Sequence, residues 1–376
     1  MTDQNPREYR GMEILSRHDQ VTRLSSTNYL VNSQSNHGQY NVTAKGSAWT
    51  CSCPDHIYRE AKCKHIWAVQ LSLRLRDEVI SETVIHQINP SVCPFCASEQ
   101  IVRHGLRHNK YGNLQRLSCK TCGKRFSQNI GFQGMKASPQ AITSAMQLYF
   151  TGESFRNVQN FLRLQGVNVS HVAVYKWIRK YVHLMEKYVD QVKPNVSDTW
   201  RADELFVKVR GNMKYVFALM DDETRFWIAQ EVADTKFTHD ARNLFREGKR
   251  LTGKSPMLLI TDGLPSYHDA YRKEYWRHQQ PRPQHISHIR IQGDRNNNKM
   301  ERLNGEVRDR EKVMRGLKKS DTPILKGYQI YHNYVRPHEA LDGKTPAEAC
   351  GIKIEGENKW LTLIENSVRK AIKCSQ

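Results

Sequence analysis

Along the chain the apolar positions change their period several times, and each change marks an element. Tyr40-Asn41-Val42-Thr43 and Ala48-Trp49-Thr50-Cys51 alternate as two strand arms, turned at Lys45-Gly46. Ile66, Val69 and Leu73 follow at helical spacing. Residues 139–150 read as one helix, and Ser154 can cap a second whose stripe is Phe155, Val158, Phe161 and Leu162, broken at Gly166. Ser170 can cap a third helix, with Val174, Trp177, Ile178, Tyr181 and Val182 facing inward and His171, Lys176, Arg179 and Lys180 outward. Pro194-Asn195 marks a boundary.

Beyond it the period drops to two. Trp200 to Val209 reads as a strand turned at Gly211-Asn212, Tyr215 to Met220 as an apolar second strand, and Phe226 to Ala229 as a third, after Asp221 and Asp222 read as turn residues. Residues 239–251 fit a helix, 256–261 a short buried-type strand closed by Asp262-Gly263, and 266–276 another helix. His285 and His288 flank a fifth strand and read as structural. The order β-β-β-α-β-α resembles a ribonuclease H-like fold, and in that fold the first and fourth strands, here carrying Asp203 and Asp262, are neighbours. The expectation is a multidomain α+β protein: N-terminal zinc modules and a helix-turn-helix, then a ribonuclease H-like α/β catalytic domain.

Composition narrows the class. At 376 residues the chain is long enough for several modules, and 38% hydrophobic with 26% charged residues excludes disorder throughout. No run reaches the roughly 18 to 20 apolar residues of a membrane helix, and the start lacks a charged-then-apolar leader, so a cytoplasmic, nucleoid-associated protein is expected. Against 38 Asp+Glu stand 58 Lys+Arg, a net charge of +20 that points to a polyanion, double-stranded DNA first. Between Cys93 and Lys193, 15 basic residues face 4 acidic ones, so that charge is concentrated around the predicted helices. Three helices in this order suggest a helix-turn-helix, with Ser170, His171, Lys176, Arg179 and Lys180 as the DNA-binding candidates.

Seven of the nine cysteines fall between Cys51 and Cys122, which in this setting signals metal and not disulfides. Cys51 and Cys53, nine residues, then Cys63 and His65 supply the four donors of a closed tetrahedral zinc site, with His56 as a rival ligand. Cys93, Cys96, Cys119 and Cys122 form two knuckles separated by a hairpin-length segment of 22 residues. The first set resembles the SWIM-type zinc finger. The second, followed by Gly123-Lys124-Arg125-Phe126, is similar to a zinc ribbon. Two full coordination shells exclude a zinc-dependent hydrolase, whose ion needs an open position.

The remaining chemistry is acidic. Asp203, Asp262 and Glu301, the last on a polar helix after Asn297, supply hard oxygen donors suited to two Mg²⁺ ions at a phosphodiester. Glu306, five residues on, points elsewhere around a helix, and Glu204 is expected on the opposite face of its strand. Trp200-x-x-Asp203-Glu204, Thr261-Asp262-Gly263 with Ser266-Tyr267, Asn297 to Arg302, and Tyr331 to Leu341 with Lys344 to Glu348 resemble the DDE transposases of bacterial and archaeal insertion sequences, the insertion-sequence-six branch in particular. The resemblance runs from about Cys93 to Cys350; the SWIM-like segment lies outside it. It implies Mg²⁺-dependent phosphodiester hydrolysis and strand transfer at element ends by a homodimer or larger assembly. The rival expectation is a domesticated relative acting as a zinc-dependent DNA-binding regulator. The expected organisation is 1–88 SWIM region, 89–136 ribbon, 137–194 helix-turn-helix, 195–350 catalytic domain and 351–376 extension.

Overall fold

The computed structural model describes residues 5–374 except 18–19, 26, 36–37, 47, 80–82, 89–90, 110–111, 128–129, 210, 279–281, 288–296 and 315–322, so His288 lies outside the described residues. The chain divides into two compact units: 1–82 with 195–205 and 215–303, and 83–194 with 206–214 and 304–376.

In the first unit, helix α1 (Pro6–Leu15) begins at a proline behind the capping side chain of Asn5. Strands β1 (Val21–Arg23), β2 (Asn28–Asn32), β3 (Gln39–Lys45) and β4 (Ala48–Cys51) form an antiparallel sheet in sequence order. Lys45 pairs with Ala48, and Gly46 takes the turn at φ +59°, where a side chain is strained. Short α2 (Pro54–Arg59) leads to α3 (Lys64–Val79). Here α1 and α3 approach so closely that a Cβ on Gly11 would stand 2.8 Å from Trp67 Cβ. Ile14, Tyr29, Val31, Val42, Ile66 and Val69 pack with Cys51, Cys53 and Cys63 in one buried cluster.

Strand β5 (Thr83–Ile85) opens the second unit, followed by the three-stranded antiparallel sheet of β6 (Ile101–Asn109), β7 (Gly112–Cys119) and β8 (Arg125–Ser127). Then come α4 (Pro139–Thr151), α5 (Phe155–Leu164) and α6 (His171–Val189). Each starts behind a serine: the hydroxyls of Ser138, Ser154 and Ser170 accept from the amides of Ala141, Asn157 and Ala173 at 3.1, 3.2 and 3.2 Å. Helix α6 buries Val174, Trp177, Ile178, Tyr181 and Val182. On α5 the buried stripe is narrower than its pattern predicts: Val158 and Leu162 are covered, whereas Phe161 is 39% exposed. A helix of ten residues that buries one i, i+4 pair leaves the neighbouring position at the rim of its stripe.

The chain then forms a mixed sheet of β9 (Thr199–Val209), β10 (Asn212–Asp221), β11 (Trp227–Ala233), β12 (Leu258–Ile260) and β13 (Gln284–Ile286), ordered β11-β10-β9-β12-β13, whose residues outside 206–214 belong to the first unit. β10 and β11 are antiparallel; β12 is parallel to both β9 and β13. That order is the ribonuclease H-like one. Helices α7 (Thr238–Thr252) and α8 (Pro265–Glu274) pack on each other, and Trp200, Phe217, Trp227 and Phe245 are fully buried in this core. Helix α9 (Asn298–Met314) follows β13.

In the second unit, α10 (Pro323–Ile330) runs into a π-helical turn at Tyr331–Val335, then short α11 (Pro346–Ala349) and β14 (Ile352–Ile354), which pairs in parallel with β5. Helix α12 (Lys359–Cys374) packs on α4 and α6 and buries Trp360, Leu363 and Ile364. Among the described residues no helix is long and apolar enough to cross a membrane.

Candidate active site and metal centres

The acidic site is built by strand register. β12 runs parallel to β9 with Ile260 opposite Arg201, and extending that register by two residues sets Asp262 opposite Asp203, where the short β12 has ended. Gly263 takes φ +98°, and the amide of Leu264 donates to Asp262 Oδ1 at 3.2 Å, so Asp262 shapes the turn that carries it. Oxygens of Asp203, Glu204 and Asp262 lie within 4.8 Å of one another. Burial pushes the Asp203 carboxyl up to about 7, with the charges of Asp262, Glu204 and Glu301 adding to the effect and the Glu204 amide opposing it. Crowded carboxylates of this kind are a hard-oxygen donor set that a divalent cation relieves, and they fit Mg²⁺.

Glu204 corrects the expectation from strand alternation. Its side chain is 5% exposed and turns into the cluster, where Lys236 Nζ donates at 2.6 Å and the buried Tyr267 hydroxyl at 3.0 Å. Alternation fixes the direction of a Cβ, but a longer side chain ends where its partners hold it. Glu301 sits exposed in the first turn of α9, its amide donating to the Asn297 carbonyl at 2.9 Å; it acts on Asp203 as a like charge but lies outside the group of oxygens within 4.8 Å. Glu306 is held by Arg336 at 2.5 Å, and Glu311 accepts from the Lys208 amide.

Asp221 closes β10 and Asp222 stands in the turn after it, so the turn expected from the sequence is present, but neither residue faces solvent. Both are buried, at 0% and 2% exposure. Asp221 accepts from the amides and hydroxyls of Ser197 and Thr224. Asp222 pairs with buried Arg201 of β9 and with Lys299 of α9 at 2.8 Å, the neighbouring cations outweighing burial to hold its carboxyl below the usual range. Lys299 also donates to the Asp222 carbonyl at 2.7 Å, which anchors the turn of α9 that carries Glu301. The sequence signal for this network was Arg201 between the apolar Trp200 and Ala202 near the start of β9. His285, on β13, is half-buried beside Thr261 Oγ1 at 3.0 Å; burial, then nearby His268, lowers it to about 4.

Two further clusters have zinc geometry. Cys51, Cys53, Cys63 and His65 each offer an atom within 4.8 Å of the others, as do Cys93, Cys96, Cys119 and Cys122. Cys93 and Cys122 sulfurs stand 3.6 Å apart, and so do those of Cys96 and Cys119. Thiolates about 2.3 Å from one tetrahedral ion stand roughly 3.8 Å apart, so the spacing fits zinc. His65 turns Nδ1 to Cys51 and Cys63, 3.9 Å from each. His56 lies outside the set, its Nδ1 2.8 Å from the Ala61 carbonyl.

On α6, Lys176, Arg179 and Lys180 are exposed and His171 half-buried, while the Ser170 hydroxyl is engaged as the helix cap. Lys180 Nζ is 3.3 Å from Met135 Sδ.

Residues 197–338 match a DDE domain and residues 40–73 a SWIM zinc finger. It is similar to two transposases of Staphylococcus aureus, those for the insertion sequence-like element IS431mec and for the insertion sequence element IS257 in transposon Tn4003. Each is 27% identical over 146 residues, 38% of this chain and 63% of the relative, so the match spans less than two thirds of these relatives. Among solved structures, the magnesium complex of the HTLV-2 integrase catalytic core domain (dimeric form) aligns with 41% of this chain and 95% of its own at 14% identity and a TM-score of 0.30. A simian T-cell lymphotropic virus intasome with a PP2A regulatory subunit aligns over 55% and 73% at 14% identity and a TM-score of 0.33.

Proposed function

We propose that this chain is a DNA transposase of the DDE insertion-sequence type with an added SWIM zinc finger. It hydrolyses a phosphodiester at each element end and joins the freed 3′-hydroxyl to target DNA. The observation that carries this reading is the register that sets Asp203 opposite Asp262 within the DDE domain, with Glu301 in electrostatic reach. Asp203, Asp262 and Glu301 are the residues that would hold Mg²⁺. Bound there, Mg²⁺ supplies activation of the attacking hydroxyl and stabilisation of the leaving oxygen. The protein's own part is positioning: Lys299 and Asp222 fix the first turn of α9, and Lys236 with Tyr267 holds Glu204 against the cluster.

Cys51, Cys53, Cys63 and His65 hold one structural zinc ion, and Cys93, Cys96, Cys119 and Cys122 the other. Helix α6 enters the major groove with His171 at base edges and Lys176, Arg179 and Lys180 on phosphates. Two element ends require two active sites, hence a homodimer or larger assembly. The test is strand transfer by purified full-length protein, using duplexes that carry the element ends and a target plasmid in Mg²⁺. Joined products are expected; tight binding to the ends without any joining sinks the enzyme reading and leaves the DNA-binding regulator.

A further inference from the structure

At the edge of the N-terminal sheet, β1 ends on a cation whose partner lies far along the chain. Arg23 pairs across the strands with Tyr29 of β2, and its guanidinium lies over that ring at 5.5 Å. Its Nε donates to the Ser25 carbonyl at 3.2 Å, so local contacts already hold the side chain. The turn after it is equally fixed: the Leu24 amide donates to the Asn28 carbonyl at 2.8 Å, and the Ser25 hydroxyl accepts from the Asn28 amide at 3.0 Å. Tyr29 itself is 2% exposed and packs in the cluster that contains Cys51, Cys53 and Cys63. An arginine prepared in this way loses little further freedom when it meets a carboxylate.

That carboxylate belongs to the DDE domain. Arg23 Nη1 stands 2.7 Å from Glu223 Oε2, with the two side chains 19% and 10% exposed, and the neighbouring Leu24 carbonyl accepts from the Thr199 hydroxyl at 3.1 Å. Both anchors grip one small piece of structure, because the Thr199 carbonyl of β9 accepts from the Asp222 amide at 2.9 Å. Residues 221–226 form the turn between β10 and β11, and Arg225 within it takes φ +56°, a left-handed conformation that is costly for a residue with a side chain. A strained turn stays in place only when its surroundings hold it. Fully exposed ion pairs contribute little, but this pair is largely screened from water and stands beside Asp222, whose side chain and carbonyl both accept from Lys299.

We infer that Arg23 is a positioning residue for the acidic site: by holding Glu223 it fixes the turn whose Asp222 anchors Lys299, and with it the first turn of α9 that presents Glu301. The added N-terminal sheet thereby acts on the acidic site in cis. What Glu301 does there rests on the transposase reading; the contacts do not. No covalent step is involved.

The test compares full-length, zinc-loaded Arg23→Ala, Arg23→Lys and Glu223→Gln with the unaltered protein. Hydrogen exchange over residues 298–304 reads the first turn of α9, and the Mg²⁺ concentration at half-maximal strand transfer reads the site. Arg23→Ala is expected to speed exchange in 298–304 and to raise that Mg²⁺ concentration roughly tenfold, through loss of one charged hydrogen bond, while exchange in α7 and the zinc content stay unchanged. Arg23→Lys keeps the charge toward Glu223 and should recover most of both. Should Arg23→Ala fail to fold, Glu223→Gln decides, because it keeps the shape and removes only the charge. The inference is overturned if the deciding variant exchanges and titrates like the unaltered protein, if α7 and α9 speed up together, or if exchange in 298–304 changes while the Mg²⁺ dependence does not. An unaltered protein that joins no strand loses the transposase reading alone, since exchange in 298–304 still tests the contact. An active protein in which neither readout moves loses the role of Arg23 alone.

Discussion

Asp203, Asp262 and Glu204 present three carboxylates to one small volume, yet their neighbours divide them. Glu204 is already matched by Lys236 and Tyr267, whereas burial and like charges leave Asp203 pushed up to about 7. An amide at Asp203, Asp262 or Glu301 keeps the shape and removes the charge that holds a cation, so Asp203→Asn, Asp262→Asn and Glu301→Gln should each abolish Mg²⁺-dependent strand transfer in folded protein. Glu204→Gln should cost only about tenfold, the loss of one charged hydrogen bond, since the amide oxygen still accepts from Tyr267. Rates at saturating Mg²⁺ decide this, and equal losses in all four variants would place Glu204 among the ligands of the ion. The placement of Asp203 and Asp262 was legible because the first lies within one recognisable strand and the second just beyond another. Glu204 was not, because no periodicity reports that a tyrosine 63 residues away pulls a side chain inward.

Among the elements, those announced locally were read well. The caps at Ser154 and Ser170 and the inward face of α6 follow from short-range spacing. At Asp221-Asp222 the turn is legible but its burial is not, because an acidic pair between two strands looks the same whether water or distant partners face it; Asp221 is met by Ser197 and Thr224, and Asp222 by the cations Arg201 and Lys299. Removing one partner of a buried ion pair leaves the other uncompensated, so Asp222→Asn should destabilise the protein by about 3 kcal/mol. It should also free the first turn of α9 and reduce strand transfer in the molecules that remain folded. Denaturant unfolding with transfer rates per folded protein checks both, and a loss of stability with unchanged transfer would confine Lys299 to the fold. The zinc modules make a parallel case, since structural zinc binding and local folding are coupled. Elemental analysis should find two zinc ions per chain, with Cys93→Ser and Cys51→Ser each releasing a different one; zinc unchanged in Cys51→Ser would sink the assignment of the first site.

For the molecule as a whole, charge separates binding from catalysis. Of the net +20, +11 falls between Cys93 and Lys193, in the segment of β6 to β8 and α4 to α6, whereas the candidate catalytic acids lie between residues 203 and 301. Binding to duplex DNA should therefore weaken steeply with salt, each phosphate contact adding roughly 0.9 to the log–log slope through counterion release. Arg179→Ala and Lys180→Ala, both at exposed positions on α6, should each flatten the slope by about one unit and lower affinity for all sequences alike. His171→Ala should leave the slope and alter the preference for element ends over unrelated DNA, because a base contact specifies where a phosphate contact only positions. Asp203→Asn supplies the internal comparison: it removes a negative charge without touching α6, so it should bind the ends at least as tightly as the unaltered protein while transferring no strand. Salt titrations of these four variants on one duplex measure every term. If the α6 variants keep the full slope, the positive charge that grips DNA lies elsewhere in the chain, and the helix-turn-helix assignment falls even if the acidic site proves catalytic.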